Sequence, residues 1–144
     1  MIDDINQQIG IAATPQRVWE VLTTEGLVEQ WLGCLDYQAR IGHVFYMQPD
    51  AATRAAGDLA GATHCELLRL DPPREMVFSW YYPETPRTEV AIRLTPDGGG
   101  TRVDLVHSGW DQFDPEQIRM IRDALAGGWS SFVLPGLKRL AETQ

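Results

Sequence analysis

Cysteine is scarce in this chain: Cys34 and Cys65 are the only two in 144 residues, and they form no CxxC pair. No disulfide framework is therefore expected, and free thiols in a cytoplasmic protein are the plain inference. Positive charge is also short, with 12 Lys and Arg against 20 Asp and Glu for a net −8. The basic residues are scattered rather than striped, which argues against a nucleic acid or an anionic membrane as partner and favours solubility. No run approaches the ~20 apolar residues of a membrane span, so no membrane insertion is expected. Asp3 and Asp4 stand where a signal peptide would carry basic charge. Nucleophile motifs are missing: there is no G-x-S-x-G and no cysteine with a local partner, and the triple glycine at 98–100 reads as a hairpin turn. His43, His64 and His107 fall on three separate expected strands without ligand spacing, so neither a metal nor another cofactor is expected. No repeat or linker divides the chain, and residues 1–144 read as a single domain.

What the sequence does have is a long amphipathic end. Ile118, Ile121, Leu125, Trp129, Phe132, Leu137 and Leu140 recur at steps of mostly three and four between Asp114 and Gln144. Asp114-Pro115 reads as an N-cap and first helical position, and Lys138 and Arg139 place cations near the negative helix end. Such a helix of about 28 residues would be roughly 40 Å long. It carries faults. Gly127-Gly128 costs about 2 kcal/mol against two alanines, and Pro135 is expected to bend or split the helix. Glycines beside Trp129 relieve packing or leave room for a guest.

Upstream, period-two alternation dominates. Ile5 to Ala12 reads as a strand, Thr14-Pro15 as a helix start, and Glu25 to Trp31 as a second short helix closed by Gly33. A weak strand at Leu35–Ala39 and a better one at His43–Met47 follow. Residues 49–61 read as a surface loop or short helical flap. Strands are expected at Thr63–Leu70 and Glu75–Tyr82. Thr88–Thr95 and Thr101–Ser108 make the clearest hairpin; with Pro96 facing Thr101, Arg93 lies opposite Asp104 outside, and His107 lies inside with Val90, Ile92 and Leu94. The fold class is α+β, with a curved antiparallel sheet of six or seven strands and its helices on one side.

IAATPQRVWEVLTTEGLVEQWLG resembles the opening of the START-like helix-grip (SRPBCC) domains, in the branch related to the Hsp90 ATPase activator. IGHVFYM, LDPPREMVFSW, GGGTRVDLVHSGW and GGWSSFVLPGLKRLAE resemble its later blocks in the same order, so the likeness spans Ile9 to Glu142. It implies a sheet gripping a long C-terminal helix, with an apolar cavity between. Relatives include lipid and hormone binders, aromatic polyketide cyclases and co-chaperone domains, so function must be argued from the site.

The inward candidates for that cavity are Trp31, Phe45, Met47, Phe78, Trp80, Tyr82, His107, Trp110, Trp129, Phe132 and Val133. They suit a flat apolar or aromatic guest oriented by Tyr82, His107 and the indole N–H groups. His107 is the candidate general base, with Tyr82 and Glu66 as further acid–base candidates; Glu66, Glu75, Glu84 and Glu89 are the carboxylates of the strand region. Three functions follow: binding of a small hydrophobic molecule, an enzyme of the cyclase, aromatase or hydrolase type in the same cavity, and a co-chaperone-like interaction domain. Binding is the reading preferred, with turnover judged the lesser, and a homodimer is left open.

Overall fold

The computed structural model describes residues 3–48, 50–83 and 85–143. The alternating stretches become seven strands: β1 (Ile5–Ile11), β2 (Cys34–Leu35), β3 (Val44–Met47), β4 (Thr63–Asp71), β5 (Glu75–Trp80), β6 (Thr88–Asp97) and β7 (Gly100–Ser108). They form one antiparallel sheet in the order β1-β7-β6-β5-β4-β3-β2. Two short helices, α1 (Pro15–Thr23) and α2 (Leu27–Leu32), separate β1 from β2, and α3 (Ala51–Ala55) separates β3 from β4. The chain closes with α4 (Pro115–Gly128), a π-helical turn (Trp129–Val133) and α5 (Leu134–Glu142). This is the expected helix-grip architecture. Among the described residues, no helix is long and apolar enough to cross a membrane.

Local chemistry sets the boundaries. Thr14 Oγ1 caps α1 by accepting from the Arg17 N–H, and the Asp114 carboxylate caps α4 by accepting from that of Glu116. Gly33 ends α2 in the left-handed region at φ 72, a conformation without cost only for glycine. The weak strand expected at Leu35–Ala39 is shorter and starts one residue earlier. Asp36 stops it at φ 62, and Tyr37 turns into the core, edge-on to Phe45 at 5.3 Å.

The β6–β7 register is the one read from the sequence, with Pro96 against Thr101 and Val90, Ile92 and Leu94 against His107, Leu105 and Val103. Arg93 does face Asp104, but its guanidinium bonds Glu75 of β5 at 2.8 Å, while Asp104 accepts from Arg102 at 3.0 Å. These exposed pairs contribute about 0–1 kcal/mol each, so burial on the other face decides the register.

The terminal helix does not split at Pro135. The Leu134 N–H reaches back five residues to the Trp129 carbonyl, and this wider turn sits directly before the residue that has no N–H to offer. Burial along the helix is uneven. Leu134, Gly136, Leu137 and Ala141 of α5 are buried, whereas α4 buries only Ile118 and leaves Met120 80 % exposed. The helix is thus seated through apolar burial along α5, whereas α4 is tied to the β1 side mainly by polar bonds, from Gln7 to the Ala126 carbonyl and from Arg122 to the Asp3 and Asp4 carbonyls.

Two glycines test this packing. A Cβ on Gly100 would lie 2.6 Å from the Ile11 carbonyl oxygen, so Gly100→Ala should cost about 1–3 kcal/mol by prying β1 from β7. A Cβ on Gly127 meets nothing, so Gly127→Ala should gain up to about 1 kcal/mol from helix propensity. Urea denaturation of both variants measures the two signs.

Candidate functional site

The uneven seating leaves a cavity of about 810 Å³ between sheet and helix, within the range of small-molecule sites. Its floor is Met47, Thr63, Trp80 and Tyr82 from the sheet side. Gln30, Trp31 and Leu32 of α2 close one flank, with Arg54 of α3 and the neighbouring Gln48 and Gly61. Its roof is the terminal helix, through Ile121, Ala124, Leu125 and Gly128, then Trp129, Phe132 and Val133, then Gly136 and Arg139. Phe132 is 78 % exposed, which marks the mouth.

The π turn shapes the roof. It turns Trp129 and Val133 inward to near-complete burial while Phe132 remains outside. Trp129 is then fixed from behind. Its Nε1–H donates to His107 Nδ1 at 3.2 Å, which makes Nδ1 the acceptor and leaves the proton on Nε2. Nε2–H donates to Thr88 Oγ1 at 2.7 Å, and that hydroxyl donates to the Trp80 carbonyl at 2.7 Å. One buried relay therefore ties the roof tryptophan to the backbone of the floor tryptophan. Trp110 Nε1–H donates to the His107 carbonyl at 3.0 Å and its ring lies 4.5 Å from the imidazole.

Of the residues read from the sequence, the structure brings Trp31, Met47, Trp80, Tyr82, Trp129, Phe132 and Val133 to the cavity wall. Phe45 and Phe78 do not reach it; they stack edge-on at 5.5 Å inside the filled part of the core. His107 and Trp110 lie one layer behind the wall, at 0 % and 1 % exposure. Burial pushes the His107 pKa down to about 3, so the imidazole is neutral with both nitrogens engaged, and has no free lone pair for a substrate proton. Glu66 belongs to the opposite face of the sheet, where it accepts from Arg87 at 2.7 Å; Arg87 also lies over the Tyr81 ring at 4.1 Å. Of the three acid–base candidates, only Tyr82 borders the cavity. Glu84 lies outside the described residues.

The remaining chemistry is inert. Burial raises the Cys65 thiol and pushes Cys34 up to about 12, so neither is a thiolate near neutral pH. His43 bonds Arg40 and the Asp36 carbonyl, and His64 sits between the Tyr46 and Tyr81 rings. Among the described residues, no three His, Cys, Asp or Glu side chains gather to hold a metal ion.

Sequence reasoning missed Thr88, Gln48, Leu125 and Arg139. Thr88 carried a signal, as a hydroxyl on a face otherwise made of Val90, Ile92 and Leu94. Gln48 is buried and donates to the Asp58 and Ala60 carbonyls, which anchors the 50–61 segment beside the cavity. Leu125 belongs to the amphipathic stripe, and Arg139 passes in sequence for a cation complementing the helix dipole.

The His107 burial has a pH signature. The unfolded chain binds a proton near pH 6.5 that the native imidazole refuses until about 3, so its contribution is full above 6.5 and lost as pH falls through that window. His107→Gln should lower stability by about 1–3 kcal/mol at pH 7.5 through the disturbed relay. It should also remove up to about 1.4 kcal/mol per pH unit of the wild-type loss below 6.5. Urea titrations of both proteins from pH 7.5 to 5 check this; parallel curves contradict it.

Comparison with known proteins agrees with the geometry. The structure is similar to protein MLL2253 from Mesorhizobium loti, at 26 % identity over 96 % of both chains with a TM-score of 0.78. It is also similar to the Aha1 dimer from Colwellia psychrerythraea, at 21 % identity, 98 % and 97 % coverage and a TM-score of 0.71. CalU16 from Micromonospora echinospora matches at 24 % identity, covering 98 % of this chain and 75 % of that one, with a TM-score of 0.67. No curated protein matches the sequence. The family described as Activator of Hsp90 ATPase homolog 1-like protein matches residues 12–142, and the chain belongs to that family.

Proposed function

We propose that this protein binds a small hydrophobic or aromatic molecule in the cavity between the sheet and the terminal helix, with residues 1–144 acting as one START-like domain. The observation that carries the reading is a cavity of about 810 Å³ walled by Trp31, Trp80 and Trp129, with Val133 and Leu125 beside them. An apolar guest there gains roughly 25 cal/mol for each Å² it removes from water. Two of those indoles already spend their N–H inside the protein: Trp31 donates to the Val21 carbonyl at 3.0 Å and Trp129 to His107. The walls are therefore oriented before a ligand arrives, which lowers the ordering cost of binding.

Turnover has weaker support in the geometry, because His107 is bonded on both ring nitrogens and Glu66 faces away. The buried free thiols favour a cytoplasmic setting. Self-association is a second reading, favoured by Met120 and Phe132 at 80 % and 78 % exposure and by the dimeric Aha1 relative. Sedimentation equilibrium across a hundredfold concentration range should show a mass rising toward the dimer; a constant monomer mass removes that reading.

Filling the cavity from its own wall tests the binding proposal. A Cβ on Gly128 meets no atom within 4 Å, so Gly128→Leu should enter the space while improving helix propensity. Apolar aromatic compounds and lipids screened by thermal shift should stabilise the wild type by about 2.7 kcal/mol at 100 times Kd and the variant far less. A broad set that shifts neither protein contradicts the proposal.

A further inference from the structure

We propose that the ligand is a soluble amphipathic anion whose acidic group pairs with Arg139 at the α2 end of the cavity. This rests on the binding reading and adds the ligand's charge to it. The chain holds 20 acidic residues against 12 basic ones, yet among the described residues its cavity is lined by two arginines and no carboxylate. Even Glu29, which precedes the lining residue Gln30 on α2, is not part of the wall. A site meant for a neutral apolar body has no use for guanidinium groups, and one meant for a cation would expel it.

The two arginines differ in their engagements. Arg54 donates to the Gln48 carbonyl at 2.6 Å and lies against Gly33, so it helps hold the flank in place. The Arg139 guanidinium has no hydrogen bond or ion pair to any described residue, although Lys138 beside it is paired with Glu142. Helix geometry places it correctly: Gly136 packs against Trp31 of α2, with its virtual Cβ 3.6 Å from the Trp31 Cα, and Arg139 follows three residues later on the same face. A carboxylate there would meet a planar donor fork, while its apolar body extends along Trp129 and Trp80. The partner is a dissolved molecule, since a chain of net charge −8 is repelled by an anionic membrane.

The test uses two probes with the same body. Full-length protein is titrated with 1-pyrenebutyrate and with 1-pyrenebutanol at pH 7.5, followed by tryptophan quenching. The carboxylate should bind about tenfold more tightly, the ratio that about 1.4 kcal/mol gives, and high salt should shrink the ratio. Arg139→Gln should bring the two affinities together by weakening 1-pyrenebutyrate far more than 1-pyrenebutanol; Arg139→Lys should keep part of the preference. Arg139 is exposed, and an unchanged melting curve for each variant shows the fold is retained. Equal affinities in the wild type, or a preference that survives Arg139→Gln, overturn the inference but leave the cavity reading standing. If neither probe binds, that reading falls and this one with it.

Discussion

The hydrogen-bonded relay from Trp129 through His107 and Thr88 to the Trp80 backbone is the constraint on which the site depends. A buried imidazole with an unpaired nitrogen would cost about 1–3 kcal/mol, so its two partners are held as firmly as it is. Trp129 lies on the cavity wall itself, and Thr88 of β6 bonds the backbone of Trp80, which also lines the cavity. The fold thus uses its one deeply buried titratable side chain on β7 to set the spacing of roof and floor. Protein interiors close where they can, since empty space forfeits dispersion contacts. Here the Trp31 and Trp129 indoles are held by hydrogen bonds to groups behind the cavity wall.

The terminal helix supplies the second half of the account. α5 is seated by Leu134, Leu137 and Ala141, whereas α4 buries little beyond Ile118. Between them the π turn absorbs Pro135 and redirects Trp129 and Val133 inward. Gly128 and Gly136 keep the helix surface low where it borders the cavity. Gly128 and the wide turn ahead of Pro135, which read as faults in isolation, therefore shape the same space.

Much of this was legible in the residues, and the rest was hidden for identifiable reasons. Alternation in 88–108 fixed which side chains face inward, because a one-residue slip would have exposed Val90, Ile92 and Leu94. Alternation cannot say how far the opposing layer stands off, so Phe45 and Phe78 read the same as Trp80 although the core is closed around the first two. The inward side of His107 followed from register, but its partners sit on β6 and the terminal helix, and only the tertiary structure brings them together. The π turn leaves no periodic trace over five residues. Arg139 looked like a helix-end cation because sequence gives its position along the helix and not the neighbour it faces.

The central claim is that a guest can enter between walls that the relay holds apart. The most direct measurement is the set of indole ¹H–¹⁵N signals of the five tryptophans as an apolar aromatic guest is added to saturation. The account predicts that Trp31, Trp80 and Trp129 shift together, while Trp110 behind the relay and Trp19 on α1 stay in place. Unmoved signals throughout, or equal shifts at Trp19 and Trp110, would contradict it.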